Sequence, residues 1–465
     1  MTADPPFDMP PEEFRRAAAE TARWIADYLE NSGRYPVLPP ISPGALTAQL
    51  PTAAPTQGES IDAILADFDR LILPALTHWN HPRFFAYFSV SASAPGVLAE
   101  MLTAALNVNG MLWKSSPAVT ELEQVTLGWL RDALEFPKPW FGIIYDTASI
   151  STMHAIAAAR ERADPNVRNH GNSGRLILYT SAHSHSSVEK AALTLGLGQR
   201  HVRLIPVDEK FRMRTDALAD AVATDLSQGL QPFCVVATTG TTSTSSIDPV
   251  PEISRIARQH DLWLHVDAAY GGPAAIVPEL RPLFNGIELA DSVVVNPHKW
   301  LFTPIDCSVL YTAHPGVLRR AFSLSAEYLK TAEDTEAVNF MDYGIQLGRR
   351  FRSLKLWFVL RYFGRDRLAE MIRTHVRWAD QLASLIEANP DFEVCAPHPF
   401  SLVCFRHKSS DETNRALLDK INASGHAFLS HTVLNGKFVL RLAIGNIHTT
   451  WNDILSTWER IQSLC

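Results

Sequence analysis

Two stretches of the chain decide the fold, LWLHVDAAYGG (262–272) and SVVVNPHKW (292–300). Each begins with a short apolar run rich in branched residues and passes directly into polar side chains. The runs RLILY (175–179) and FCVVAT (233–238) repeat this pattern. Because their apolarity is continuous rather than alternating, we expect strands buried on both faces, and hence a largely parallel sheet. PVPEISRIARQHD (249–261) has proline near its start and helical periodicity, which predicts a crossover helix within an α/β fold.

The chain divides into three parts that differ in their pattern of apolar and polar residues. Residues 1–85 predict an N-terminal helical arm, which either folds on its own subunit or crosses to a second subunit and helps form a dimer. Residues 86–355 contain the runs described above and predict a large α/β domain. Residues 356–465 combine helical and strand patterns, which predicts a small C-terminal α+β domain.

Composition excludes several classes of protein. The 465 residues include 42 Lys and Arg against 49 Asp and Glu, a net charge of −7, so no basic excess indicates a nucleic-acid partner. No apolar run approaches the roughly 18 residues that span a bilayer. The N-terminus, MTADPPFDMPPEEF, lacks the basic and apolar regions of a secretory signal. The five cysteines are scattered without a CxxC pair, which is typical of a reducing compartment, so we expect a cytoplasmic protein.

The candidate catalytic and binding residues follow the ends of the predicted strands. Asp267 follows LWLHV, Lys299 follows SVVV, Thr242 lies after FCVVAT, and His185 lies after RLILY. Ligands of an open parallel sheet bind beyond the carboxyl ends of its strands. Alone, the aspartate fits a cap and the lysine fits a surface residue. Together they match pyridoxal phosphate, for which a lysine forms a Schiff base and an aspartate partners the pyridinium nitrogen.

Two further patterns bear on bound groups. Thr147-Ala148-Ser149 precedes the helical run STMHAIAAARERA (151–163), and hydroxyls and free amides at a helix N-terminus form either an anion site or an ordinary cap. His183 and His185 form an H-x-H pair, but no third ligand is near in sequence, so we expect no metal site. The basic run Arg349, Arg350, Arg352 and Lys355 is interpreted as a solvated helix face or as structural ion pairs.

Several motifs taken together resemble the group II pyridoxal-phosphate decarboxylases. They are FFAYF (84–88), SSPAVTELE (115–123), SHSSVEKA (184–191), HVDAAYGG (265–272), NPHKW (296–300) and LGRRFRSLKLWFV (347–359). Their order matches the family from about residue 10 to 450, and the first, second and last favour the aromatic-L-amino-acid decarboxylase branch. The resemblance implies a fold-type I enzyme, the cofactor pyridoxal 5'-phosphate, a small amino-acid substrate, and a homodimer with its active site near the subunit interface.

The resemblance also implies roles for particular residues. Lys299 would form the internal aldimine, Asp267 would hold the protonated ring nitrogen, His185 would stack on the cofactor, and Ala269 would leave room on its other face. The remaining cofactor contacts would be Thr147, Ala148, Ser149, Thr242, Asn296 and His298, with support from Asp248. Tyr328, in AEYLK, matches the tyrosine that protonates the quinonoid carbon after carbon dioxide leaves, where phenylalanine marks aldehyde-forming relatives.

The sequence departs from the family pattern near the phosphate and in the substrate pocket. Asp146 and Ile150 replace a glycine and an acidic residue, and because a carboxylate beside a phosphate is unfavourable, we expect Asp146 to point away. The resemblance places five residues in the substrate pocket: Trp79, Tyr87, Phe88, Asn109 and Met111.

The leading hypothesis is decarboxylation of an aromatic L-amino acid to its arylalkylamine. The alternatives are an aromatic aldehyde synthase on the same scaffold, a decarboxylase of a non-aromatic amino acid, and a cofactor-free interaction protein. The intact set of Lys299, Asp267 and His185 argues against the last of these.

Overall fold

The computed structural model describes residues 8–324 and 336–465. Its helices alternate with strands through the middle of the chain, and four of them precede the first strand. The α-helices are α1 (Pro11–Asn31), α2 (Ile61–Asp67), α3 (Ala94–Leu106), α4 (Pro117–Ala133), α5 (Ala148–Ala163), α6 (Val167–His170), α7 (Ser187–Thr194), α8 (Thr215–Ser227), α9 (Val250–Gln259), α10 (Pro297–Trp300), α11 (Pro315–Phe322), α12 (Arg352–Glu387), α13 (Asp411–Ala423) and α14 (Trp451–Ser463).

A seven-stranded sheet with the order β1-β7-β6-β5-β4-β2-β3 forms the centre of the molecule. The five strands from β3 to β6 in that order are parallel, as predicted, whereas β7 is antiparallel to both of its neighbours. Because two reversals restore the direction, β1 again points the same way as β6. The strands are β1 (Phe141–Tyr145), β2 (Leu176–Ser181), β3 (Val202–Ile205), β4 (Gln231–Thr238), β5 (Trp263–Asp267), β6 (Ser292–Val295) and β7 (Ser308–Thr312).

Alternate residues of each central strand pack into different hydrophobic clusters. In β4, Val235 and Ala237 belong to one cluster while Cys234 and Val236 belong to another. Both faces of the sheet are therefore covered by helices, which explains why these runs are continuously apolar. The predicted crossover helix is confirmed as α9, which connects the parallel strands β4 and β5.

A second, antiparallel sheet lies in the C-terminal part, with the order β10-β11-β9-β8. Its strands are β8 (Phe392–Val394), β9 (Leu402–His407), β10 (Ser430–Leu434) and β11 (Lys437–Ala443). Helices α13 and α14 share a hydrophobic cluster with this sheet, and the mixed helix and strand pattern of the sequence is confirmed. Helix α12 begins before residue 356 and runs across the expected domain boundary, with Gly364 in a left-handed conformation at its kink.

The basic run around Arg349 is engaged in ion pairs, which confirms one of its two interpretations. Arg349 pairs with Glu123, and Arg352 pairs with Asp306 at 2.6 Å. Lys355, which is almost fully buried, pairs with Glu100 at 2.7 Å. These pairs hold the N-terminal end of α12 against the rest of the large α/β part. In the described residues no helix is long and apolar enough to cross a membrane.

Candidate active site

The carboxyl ends of five strands meet along one edge of the large sheet. Asp267 is the last residue of β5, and Lys299 lies in the short helix that follows β6. Thr147 follows β1 at the N-terminal boundary of α5, and His185 lies between β2 and α7. Because β1, β2, β4, β5 and β6 share one direction, the groups that follow them converge, as expected for a parallel sheet.

These groups surround one cavity of about 220 Å³. Every residue of the expected cofactor-binding set lines it, together with Phe88 from the expected substrate pocket and three residues that the sequence did not single out. The lining residues are Phe88, Thr147, Ala148, Ser149, His185, Thr238, Gly240, Thr242, Asp267, Ala269, Tyr270, Asn296, His298 and Lys299.

Lys299 provides a nucleophilic amine in this cavity. Burial lowers the pKa of its ammonium group, and the opposing charge of Asp267 only partly compensates. Its Nζ lies 5.6 Å from the centre of the Phe88 ring. A lowered pKa increases the fraction of neutral amine, which is the form that bonds covalently to an aldehyde.

Asp267 provides a buried negative charge on the same side of the sheet. Only 6% of the residue is exposed, and its Oδ1 accepts a hydrogen bond from the Ala269 amide at 3.0 Å. That bond fixes the carboxylate at the end of β5. A carboxylate held in this way favours a protonated nitrogen in a bound ligand.

Two histidines line the cavity in their neutral forms. The pKa of His185 is lowered by burial, and its Nδ1 accepts a hydrogen bond from the Ser187 amide at 3.2 Å, which leaves the ring proton on Nε2. Burial lowers the pKa of His298 to about 3, and its Nδ1 accepts from the Cys307 amide at 2.8 Å. Within the described ranges no group of three or more His, Cys, Asp or Glu side chains could hold a metal ion.

The N-terminus of α5 offers hydrogen-bond donors to an anion. Within the part of the chain that the structure describes, no group accepts a hydrogen bond from the amides of Ala148 or Ser149. The α5 helix is 16 residues long, so its dipole adds to the pull on a negative charge. Asp146 does not line the cavity, but its carboxylate accepts a hydrogen bond from the Thr147 amide and so does not point away from this helix end as expected.

The other expected substrate residues lie elsewhere. Trp79 and Tyr87 stack on each other with ring centres 6.0 Å apart, and Tyr87 lines a neighbouring cavity of about 500 Å³ that also includes Thr242. Asn109 and Met111 lie together beyond α3, the first exposed and the second half-buried, and Asn109 Nδ2 contacts Met111 Sδ at 3.6 Å. Tyr328 lies outside the described residues.

Three residues of the cavity were missed by the sequence analysis. Tyr270 stacks on Phe88 with ring centres 3.6 Å apart and on Trp300 with ring centres 4.9 Å apart, which gives the cavity a flat aromatic wall. Gly240 has φ +95°, and a Cβ there would meet the Gly271 amide nitrogen at 3.1 Å, so a side chain would be strained. Thr238 ends β4, and its hydroxyl is buried without a partner among the described residues. The motif HVDAAYGG (265–272), which contains Tyr270, is the sequence signal that could have identified this residue.

Two groups outside the cavity hold its walls. Asp248 accepts hydrogen bonds from the amides of Thr238 and Met213 at 2.8 and 2.7 Å, which is consistent with a supporting position. Arg441, which no pattern in the sequence indicated, is a buried cation that donates to the carbonyls of Thr242 and Ser243. Both groups therefore fix the loop that follows β4.

The donor set fits pyridoxal phosphate. The open amides of α5 suit a phosphate, the Lys299 amine suits an aldehyde, and the Asp267 carboxylate suits a pyridinium nitrogen. Buried and without a hydrogen-bond partner among the described residues, Asn296 Oδ1 is a polar atom that a ligand or water would satisfy.

Comparison with known proteins agrees with this geometry. Residues 43–408 match the pyridoxal-dependent decarboxylase conserved domain. Tryptophan decarboxylase 2 of Oryza sativa is 40% identical, with 98% of this chain and 95% of that protein covered. Phenylacetaldehyde synthase of a Rosa hybrid cultivar is also 40% identical, with coverages of 97% and 94%. The crystal structure of Catharanthus roseus tryptophan decarboxylase in complex with L-tryptophan superposes with a TM-score of 0.93 at 39% identity, with 98% of each chain covered. The chain therefore belongs to the pyridoxal-dependent decarboxylase family and is a carboxy-lyase that uses pyridoxal phosphate, as the sequence predicted.

Proposed function

We propose that this protein decarboxylates an aromatic L-amino acid to the corresponding arylalkylamine and carbon dioxide. The observation that carries the proposal is the convergence of Lys299, Asp267 and His185 on one cavity with an aromatic wall. When bound there, pyridoxal phosphate supplies an electron-withdrawing ring that stabilises the charge left by carbon dioxide. The named relatives, a tryptophan decarboxylase and a phenylacetaldehyde synthase, support an aromatic substrate.

The residues of this chain divide the work by charge and shape. The Lys299 amine would bond the aldehyde of the cofactor covalently, and the Asp267 carboxylate would keep its ring nitrogen protonated. His185, held by Ser187, presents a flat neutral ring as a stacking partner. The amides of Ala148 and Ser149 bind the phosphate.

Tyr328 is proposed to decide the final step. A tyrosine hydroxyl can deliver a proton and give an amine, whereas phenylalanine at this position cannot. The presence of tyrosine favours the amine over the aldehyde that a phenylacetaldehyde synthase relative makes. The proposal therefore assigns aldehyde formation to a minor route at most.

A direct assay tests the substrate and the products. The loaded protein is incubated under air with L-tryptophan, L-tyrosine, L-phenylalanine, L-dihydroxyphenylalanine and, as the non-aromatic control, L-glutamate. We expect amine and carbon dioxide in equal amounts from at least one aromatic substrate, with little peroxide. Aldehyde, ammonia and peroxide as main products would support the synthase instead. Turnover of glutamate alone would refute the aromatic assignment.

We also propose that a second copy of the chain completes the site. Leu98, Met101, Leu102 and Leu106 form one stripe of α3 and are 40–58% exposed. Such a stripe is typical of a surface that packs on a partner. Asn109 and Met111 follow within five residues of the end of this helix, so we propose that they lie at the edge of the same interface. Sedimentation of the native protein beside a Leu98→Glu, Leu102→Glu double variant tests this; a monomeric native protein would refute it.

We also propose a domain organisation and a cellular location for the protein. We propose the division into residues 1–85, 86–355 and 356–465, supported by the hydrophobic cluster that α13 and α14 form with the C-terminal sheet. We propose a cytoplasmic location, supported by the five cysteines, which are all free.

A further inference from the structure

Asp146 occupies part of the donor set at the N-terminus of α5. Its Oδ1 accepts a hydrogen bond from the Thr147 amide at 2.6 Å and another from the Thr147 hydroxyl at 3.2 Å. Thr147 itself lines the cavity, although Asp146 does not. The carboxylate therefore contacts the anion-binding end of the helix without lining the cavity.

This contact changes what the helix end can offer. Thr147, Ala148 and Ser149 present three consecutive amides, and within the described part of the chain only those of Ala148 and Ser149 lack an acceptor. The Thr147 hydroxyl is also committed, since it bonds Asp146 rather than capping a later amide of α5. One amide and one hydroxyl are thus already bound to an anion of the protein itself.

The negative charge of Asp146 has little direct compensation. No cation lies within ion-pair distance of Asp146 among residues 8–324 and 336–465. Arg352 interacts with this charge at longer range: burial lowers the pKa of Arg352, but the hydrogen bond to Asp306 and the charges of Asp306 and Asp146 together raise it. The guanidinium of Arg352 is bonded to Asp306 at 2.6 Å, so its charge is largely committed.

We propose that Asp146 competes with the cofactor phosphate for the N-terminus of α5. Its carboxylate withholds the Thr147 donors and places a negative charge beside a group that carries nearly two negative charges at neutral pH. Pyridoxal phosphate consequently binds more weakly than the rest of the site would permit. The fraction of the protein that holds pyridoxal phosphate then depends on the concentration of free cofactor. The availability of the cofactor therefore controls the activity.

The test measures cofactor affinity rather than turnover. Asp146→Asn keeps an oxygen that can accept from Thr147 and removes only the charge. A unit charge a few ångströms from a doubly charged ion in a partly exposed site alters affinity by about three- to tenfold. We therefore expect the dissociation constant of pyridoxal phosphate, from absorbance titration of protein freed of cofactor, to fall by that factor. The dissociation constant of pyridoxal, which has no phosphate, should not change.

Asp164→Asn is the matched control. Asp164 caps the opposite end of α5 and also accepts a backbone amide hydrogen bond, from Asn166 at 3.1 Å. It should leave both affinities at the native values. An unchanged or weaker affinity for pyridoxal phosphate in Asp146→Asn would overturn the proposal, and so would equal tightening toward pyridoxal or the same effect in the control. If the asparagine variant does not fold, Asp146→Ser answers the same question, and its pyridoxal affinity reports whether the site is intact.

Discussion

Replacing Glu123 by glutamine should strongly destabilise the protein although the side chain keeps its shape. Glu123, on α4, is 1% exposed, and its Oε1 accepts hydrogen bonds from the Ile144 amide at 2.9 Å and from Arg349 Nη2 at 2.8 Å. The same Arg349 nitrogen donates to the Ile144 carbonyl at 2.9 Å. Strand β1 is therefore held at both backbone groups of one residue, two positions before Asp146.

The size of the effect follows from burial. Arg349 is 8% exposed, so the substitution leaves its positive charge inside the protein without a counterion. Breaking one partner of such a buried pair costs about 3–5 kcal/mol of unfolding free energy. The exposed pair of Glu279 and Arg373 is the matched control, because the same Glu→Gln change there should cost at most about 1 kcal/mol.

Equilibrium urea unfolding of the loaded proteins measures both changes, provided that refolding is reversible. A double variant, Glu123→Leu with Arg349→Met, should recover much of the loss, since no charge remains buried. The concentration of pyridoxal phosphate that half-saturates the Glu123→Gln variant should rise, because β1 leads into the phosphate end of the cavity. A loss no larger than that of Glu279→Gln would refute the reasoning.

Four further predictions concern the site and its stability. Lys299→Ala should reduce turnover by several orders of magnitude, and borohydride treatment of the loaded native protein should label Lys299 and no other lysine. Asp267→Asn should weaken cofactor retention and rate together; near-native activity would make Asp267 a structural cap only. Tyr328→Phe should lower the amine-to-aldehyde ratio under air while cofactor affinity stays unchanged, and an unaltered ratio at full rate would remove Tyr328 as the proton donor. Burial lowers the pKa of His375 to about 4, so its contribution to stability is complete above about pH 6.5 and declines as pH falls toward 4, by about 1.4 kcal/mol per pH unit; His375→Gln should flatten the profile of unfolding free energy between pH 7 and 5.

The parallel strands could be predicted because their signal is local. A run such as SVVV is apolar throughout only when both faces of the sheet are covered, and the strand predicted over 292–295 has the same bounds in the structure. The antiparallel β7 carries the same local signal, since it is also buried on both faces. Its direction depends on where the chain returns, which composition does not encode.

The cavity was also largely predictable, whereas the placement of four of the five expected substrate residues outside it was not. Residues at the carboxyl ends of parallel strands lie close together regardless of the sequence of the connecting loops. Lys299, Asp267 and His185 therefore converge as expected. The position of Tyr87 depends on a hydrogen bond from its amide to the Ser430 hydroxyl, 343 residues away in sequence. The position of Asn109 depends on a hydrogen bond that its side-chain oxygen accepts from the Arg349 amide, 240 residues away. A contact between residues so far apart in the sequence produces no periodic pattern in either segment.

The aromatic wall of the cavity has an optical consequence. Trp300 is fully buried, donates from Nε1 to His375 at 3.1 Å, and stacks on Tyr270, which in turn stacks on Phe88 beside Lys299. Its indole is thus a rigid fluorophore one ring away from the cavity, shielded from solvent quenchers. A ligand that absorbs in the near ultraviolet or visible region would accept its excitation energy over so short a path. The difference in emission between the native protein and Trp300→Phe should therefore follow the filling of the cavity in real time, without any added dye.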